Sequence, residues 1–128
     1  MEQLRFDQTL AAMAQARGLA AALNNDLEQV PVLELAFDLA VNEPSAQYDE
    51  CDLLTPLDAA GKPVLHLEYD LALARFCLVT RPLGFSSLAK NLSLDSAAGR
   101  AECGEMTGPD NRWVTVFDFP AVFRFPFR

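Results

Sequence analysis

The sequence has little of what metal, redox or nucleic-acid chemistry would use. It holds one histidine and three cysteines in 128 residues. Cys51, Cys77 and Cys103 are evenly spaced at 26 residues, with no C-x-x-C pair, which argues against the common zinc frameworks. At most one intrachain disulfide can form, leaving a thiol over. Positive charge is also scarce, with 10 Lys and Arg against 18 Asp and Glu, a net charge of −8 and a pI near 4.4. No basic cluster offsets this, so a phosphate backbone finds no electrostatic footprint and the expected partner is neutral or cationic. No apolar run has the length needed to cross a bilayer. The opening residues, MEQLRFDQTL, lack the basic and apolar regions of a secretory signal. What remains is an ordinary globular composition, 51% hydrophobic and 22% charged, enough to bury one core without a disulfide framework.

Periodicity places the elements. The first sixteen residues, with Leu4, Leu10, Met13 and Ala14, read as an amphipathic helix that Gly18 closes in a left-handed cap. Leu19 to Leu23 reads as a first strand running into Asn24-Asn25-Asp26, where Asn25 or Asp26 is placed to cap a second helix carrying Leu27, Val30 and Leu33. Pro31 falls early enough in that helix to be tolerated. Phe37 to Val41 predicts a buried strand that stops at Asn42-Glu43-Pro44. Residues 47 to 60 return to helical spacing through Tyr48, Cys51, Leu54 and Leu57, with a break at Pro56 and a stop at Gly61. Pro63 to Tyr69 predicts a third strand ending in Glu68. After a less regular stretch, Leu88 to Asn91 reads as a short fourth strand with a polar exit.

Helices alternating with buried strands predict a parallel α/β sheet, and in such sheets the ligand site lies beyond the carboxyl ends of the strands. Successive strands that end in polar groups therefore mark candidate site residues. Size limits the architecture: an eight-stranded barrel takes about 250 residues, so this chain corresponds to half a barrel or to a small open sheet.

The stretch from Gly18 to Cys103 resembles glycoside hydrolase family 114, the endo-α-1,4-polygalactosaminidase-like barrels, in their C-terminal half. The matching residues are Ala16-Arg17-Gly18-Leu19, Asn25-Asp26-Leu27 with Gln29-Val30-Pro31, Phe37-Asp38 with Ala40-Val41-Asn42-Glu43, and Gln47-Tyr48-Asp49-Glu50-Cys51. They continue through Ala60-Gly61-Lys62, Glu68-Tyr69, Phe76-Cys77, Leu83-Gly84-Phe85-Ser86-Ser87, Lys90-Asn91-Leu92 and Leu94-Asp95. The resemblance implies a partial (β/α)8 TIM barrel, strands five to eight, over residues 1–108, followed by a divergent tail over 109–128. It also implies an extracellular setting, hydrolysis of α-1,4-linked galactosamine polymers and no cofactor or metal. The family's strand-six glutamate falls on Glu43. Its partner aspartate, at the end of strand four, would lie upstream of residue 1, so the chain is expected to be inactive alone and to need either an N-terminal half-barrel or a second copy of itself. The family's cysteine before Cys51 is Ser45 here, and its usual lysine is Asn24. Cys77 and Cys103 fall on a second family pair, the disulfide candidate; three reduced thiols is the other reading.

Glu43 is the candidate catalytic residue, and Glu68, Tyr48, Tyr69, Asn42 and Asn25 are the substrate-binding candidates. Val64, His66 and Glu68 share one strand face, so Glu68 either lines the cleft or is a structural carboxylate buried against Lys62 or Arg75. His66 reads as a hydrogen-bonded interior histidine. Tyr48 and Tyr69 either stack on sugar rings or pack. Asp49, Glu50 and Asp52 either attract a polycation or favour a helix start. A non-catalytic carbohydrate-binding half-barrel is the alternative to a hydrolase. In the tail, Phe117-Asp118-Phe119 and Phe123-Arg124-Phe125 alternate as an edge strand does, and are expected to cover an open sheet edge.

Overall fold

A computed structural model describes residues 2–94, 100–106 and 113–114. The chain opens with α1 (Glu2–Gln15) and then repeats a strand and helix unit: β1 (Ala22–Asn24), α2 (Val30–Leu33), β2 (Leu39–Asn42), α3 (Thr55–Ala59), β3 (Val64–Glu68), α4 (Leu73–Thr80) and β4 (Ser86–Ala89). Short 3-10 turns at Leu27–Gln29 and Cys51–Leu54 lead into α2 and α3. The four strands lie in chain order and pair in parallel. The result is a mixed α/β fold built like part of a barrel, in which each crossover returns through helical turns.

Three local expectations change. Residues 71 to 83 were expected to be irregular, but Leu73–Thr80 is helical and buries Phe76, Cys77 and Thr80 on one side. Pro56 does not kink a helix in its middle; it sits in the first turn of α3, where no N–H is missed. Neither Asn25 nor Asp26 supplies a capping hydrogen bond. Both adopt left-handed backbone, and Asp26 precedes the 3-10 turn with its side chain bonded to Gln29 instead. Gly18, at φ 73°, does close α1 in the left-handed region that favours glycine.

The strands divide cleanly by face. Leu23, Ala40 and Val64 point to the helical side and pack with Ala11, Val30, Leu33, Leu54, Leu57 and Phe85 in one buried cluster. The opposite face carries exposed Ala22 and Asn24, half-buried Leu39, Val41, Leu67 and Leu88, and exposed Leu65 and Ser86. This apolar face is left open among the described residues.

The edges differ. Beside β1 no further strand pairs among the described residues, and a groove of roughly 590 Å³ runs between this edge and α1, lined by Asp7, Leu10, Ala14, Leu23, Asn24 and Phe37. Leu10 and Met13, expected to lie on the buried face of α1, are each 48% exposed. The β4 edge, expected to be free, is taken by the short antiparallel β5 (Ala101–Glu102), with Leu88 opposite Glu102 and Ala89 opposite Ala101. A disulfide from Cys77 on α4 to Cys103 fixes this segment, and the Cys103 N–H donates to the Ser87 carbonyl at 3.0 Å. β6 (Glu105–Met106) pairs with β7 (Trp113–Val114) in a separate antiparallel ribbon. The alternating residues 117–119 and 123–125 lie outside the described residues. Among the described residues no helix is long and apolar enough to cross a membrane.

Candidate functional site

The carboxyl ends of β1, β2 and β3 gather the polar residues that the sequence singled out, but on two faces. Asn42 and Glu68 follow the alternation of Ala40 and of Val64 and His66, which places them on the helical side, both essentially inaccessible to solvent. Glu43 and Tyr69, one residue further on in each case, emerge on the open side. There they meet, the Tyr69 hydroxyl donating to Glu43 Oε2.

Behind them lies a buried polar chain. Ser87 Oγ is 3.0 Å from His66 Nδ1, and His66 Nε2 is 3.0 Å from Glu68 Oε1. The same Oε1 accepts the backbone N–H groups of Ala46 at 2.7 Å and Gln47 at 3.1 Å. An oxygen already holding two N–H donors accepts a third, so Nε2 carries the histidine proton and Nδ1 accepts from the serine. Burial drives His66 down to about 4 from its usual 6.5, so the ring is neutral at pH 7. Burial also pushes the Glu68 carboxyl above its usual range, opposed in part by the two N–H groups and reinforced by Asp70.

These shifts make stability depend on pH in opposite senses. The unfolded chain protonates its histidine as pH falls through 6.5, whereas the folded chain resists until about 4. Stability present above pH 6.5 is thus lost toward pH 4, by about 3 kcal/mol. The raised Glu68 acts the other way: folding gains as pH falls from its raised value to the usual carboxylate range. His66→Gln removes the first effect. Urea unfolding should therefore show the wild-type advantage over this variant narrowing by about 3 kcal/mol between pH 7.5 and pH 4; an advantage constant across that range would mean that His66 is not held neutral.

A smaller bridge ties the neighbouring strand end. Asn25 Oδ1 accepts the Asn42 side-chain N–H at 3.2 Å and the Glu43 backbone N–H at 2.9 Å, so the left-handed Asn25 braces the residue that carries the acid. Glu68 has other partners than Lys62 or Arg75: Lys62 pairs with Glu34 at 2.8 Å, and Glu68 is bound by backbone N–H groups and His66. Glu68 and Asn42 are both buried in this arrangement, whereas Glu43 and Tyr69 are half-buried. Tyr48 is 63% exposed in the turn after Pro44 and is not drawn into the network. Ser45 Oγ lies 3.3 Å from Cys51 Sγ, a buried free thiol.

Sequence reasoning puts Lys90 in the fourth strand, at its polar exit, without naming it a site residue. The β3–β4 register sets Glu68 beside Ala89, and the Lys90 N–H donates to the Glu68 carbonyl. Lys90 therefore stands beside Tyr69 and follows Ser86 and Leu88 on the open face. Extending the alternation of β4 by one step past its last apolar residue would have found it. Among the described residues no three His, Cys, Asp or Glu side chains gather to hold a metal ion.

The profile of glycoside-hydrolase family GH114 matches residues 1–106. The chain belongs to glycoside-hydrolase family GH114. The match takes in α1, which the motif resemblance did not reach. Among solved structures, the crystal structure of Aspergillus fumigatus Ega3 in complex with galactosamine is similar, with a TM-score of 0.69 and 28% identity, covering 78% of this chain and 44% of that one. The GH114 chain described here thus spans less than half the length of that structure. A search of the curated proteins gives no match. The family and the fold together make this a glycoside hydrolase-like domain.

Proposed function

We propose that the chain supplies strands five to eight of a GH114 barrel, over residues 1–108, and one carboxylate, Glu43, of a glycosidase acting on α-1,4-linked galactosamine polymers in an extracellular setting. The single observation that carries this reading is Glu43 itself: a carboxylate at a strand exit, on the open face, fixed through one oxygen by Tyr69 and braced at its backbone by Asn25. With Oε2 held, proton transfer or attack falls to the other oxygen.

Glycoside hydrolysis needs two carboxyl groups across the scissile bond, about 5–5.5 Å apart for retention and about 6.5–9.5 Å for inversion, because one protonates the leaving oxygen while the other attacks or activates water. The second carboxylate, an aspartate at the end of strand four, comes from outside these residues. Topology supports a neighbour there. Each parallel crossover in the sheet returns through helical turns, and α1 is such a helix with no strand before it among the described residues. A right-handed unit would seat that strand on the open edge of β1, over the groove beside α1. The galactosamine bound in the similar Ega3 structure supports an amino-sugar substrate, and the net charge of −8 suits a polycationic one. Tyr69 touches Glu43, Lys90 follows at the end of the next strand, and no cofactor is invoked.

A second reading has its own support. The β4 edge is capped by β5 and pinned by the Cys77–Cys103 disulfide, as suits a self-contained open sheet that binds carbohydrate, or pairs with a second copy through β1, without cleaving. Reducing-end release from an α-1,4-galactosamine polymer separates the two. The hydrolase reading expects none from the 128-residue chain alone and clear release once an N-terminal half-barrel bearing the strand-four aspartate is supplied. Binding without release in both samples would favour the second reading.

A further inference from the structure

We propose that Glu68 is a positioning residue for Glu43: a solvent-inaccessible carboxylate, oriented by His66, that clamps the turn following Glu43 through the N–H groups of Ala46 and Gln47. The proposal rests on the reading of Glu43 as the site's acid. Its geometry stands independently. Glu68 Oε1 accepts three donors, at 2.7 Å from Ala46, 3.1 Å from Gln47 and 3.0 Å from His66 Nε2. His66 is fixed in turn by Ser87 from β4 and lies at ring-contact distance from Phe76 and Phe85. The chain thus runs from the core of β4 through β3 into the loop that leaves β2.

Why that loop needs a clamp follows from its connections. Glu43 lies beyond the last ladder partner of β2, the pairing of Asn42 with His66, so the sheet does not fix its backbone. Two tethers remain. Asn25 holds the Glu43 N–H from the side of β1, and Glu68 holds the chain three and four residues later from the side of β3. Between them Glu43 is pinned at both ends of a short span, which limits where its carboxylate can point. Hydrogen bonds to a carboxylate are stronger than neutral ones, and in a buried setting they are not shared with water. Glu68 touches no substrate; it acts through the loop.

Oε2 of Glu68 is buried and has no hydrogen-bond partner among the described residues, and this makes the proposal separable from a general effect of burial. Glu68→Gln can keep Oε1 on its three donors and place its amide nitrogen at the unpartnered position, so the clamp survives in weakened form. Glu68→Leu puts a somewhat larger apolar side chain in its place and removes the acceptor. Glu68→Asp keeps the charge but withdraws it by one methylene from the loop.

The test is amide hydrogen exchange of the full chain by NMR, paired with kinetics in the assembled enzyme. Exchange at Ala46 should rise at least about tenfold in Glu68→Leu, one broken bond's worth, and stay within about threefold of wild type in Glu68→Gln; Gln47, whose N–H also reaches the Pro44 carbonyl at 3.2 Å, should rise by less. If the leucine variant does not fold, Glu68→Asp decides, with the rise expected at the same two amides. In the enzyme, the leucine or aspartate change should lower kcat at least tenfold with KM nearly constant, and glutamine should restore most of it. Unchanged exchange at Ala46 and Gln47 in a folded leucine or aspartate variant would overturn the clamp. Raised exchange with unchanged kcat would overturn its role in placing Glu43. Should Glu43→Gln prove active, the reading of Glu43 falls, while the exchange result still judges the clamp.

Discussion

Replacing Cys77 and Cys103 together by serine should destabilise the chain by about 3.5 kcal/mol, the chain-entropy value for a loop closed across a sequence separation of 26. The structure gives the bond a specific task. Cys77 is fully buried on α4, and Cys103 follows β5, whose pairing with β4 covers only two residues. So short a strand has little hydrogen bonding of its own, and the covalent link keeps it on the sheet. Urea unfolding of oxidised wild type and of the double-serine variant should differ by that amount, and the amides of Ala101 and Cys103 should lose protection before those of β2 and β3. A difference below about 1 kcal/mol would mean that the segment is held by packing and that the disulfide adds little to the fold.

What could be read from the sequence followed the strength of each local signal. The glycine at 18, the run ending at Asn42 and the run ending at Glu68 announced their elements, because period and punctuation agree there. Helix α4 did not, since Leu73, Phe76, Cys77 and Thr80 mix apolar and polar types on a short segment with no capping side chain. The site was legible in part. Strand ends located Asn42, Glu43, Glu68 and Tyr69, but only the observed helical side sorts them. Leu23, Ala40 and Val64 turn toward the helices, and alternation then sends Asn42 and Glu68 inward and Glu43 and Tyr69 outward. A sequence gives the alternation without saying which phase is covered when both phases are apolar, as Leu65 and Leu67 are beside Val64. Lys90 lies within the expected fourth strand, Leu88 to Asn91, but its place beside Tyr69 depends on the β3–β4 register, which no local pattern gives. The His66 to Glu68 link was foreshadowed by their shared face, but its purpose depends on Ala46 and Gln47, more than twenty residues away, beyond any local pattern.

The reading of Glu43 carries the largest expected effect. Glutamine keeps the volume and can still accept from Tyr69, yet it can neither hold a transferable proton nor attack an anomeric carbon. General acid or base catalysis by one positioned group contributes about 10²–10⁴-fold, so turnover should fall by that factor. KM should change little, because the lost interaction belongs to the transition state. The measurement that tests the account most directly is kcat for cleavage of an α-1,4-galactosamine polymer by the assembled barrel, wild type against Glu43→Gln, with unfolding curves recorded on both. The account predicts a loss of about 10²–10⁴-fold in kcat at an unchanged unfolding midpoint. Near-normal turnover by a folded Glu43→Gln enzyme would contradict it and would move the catalytic carboxylate away from the end of β2.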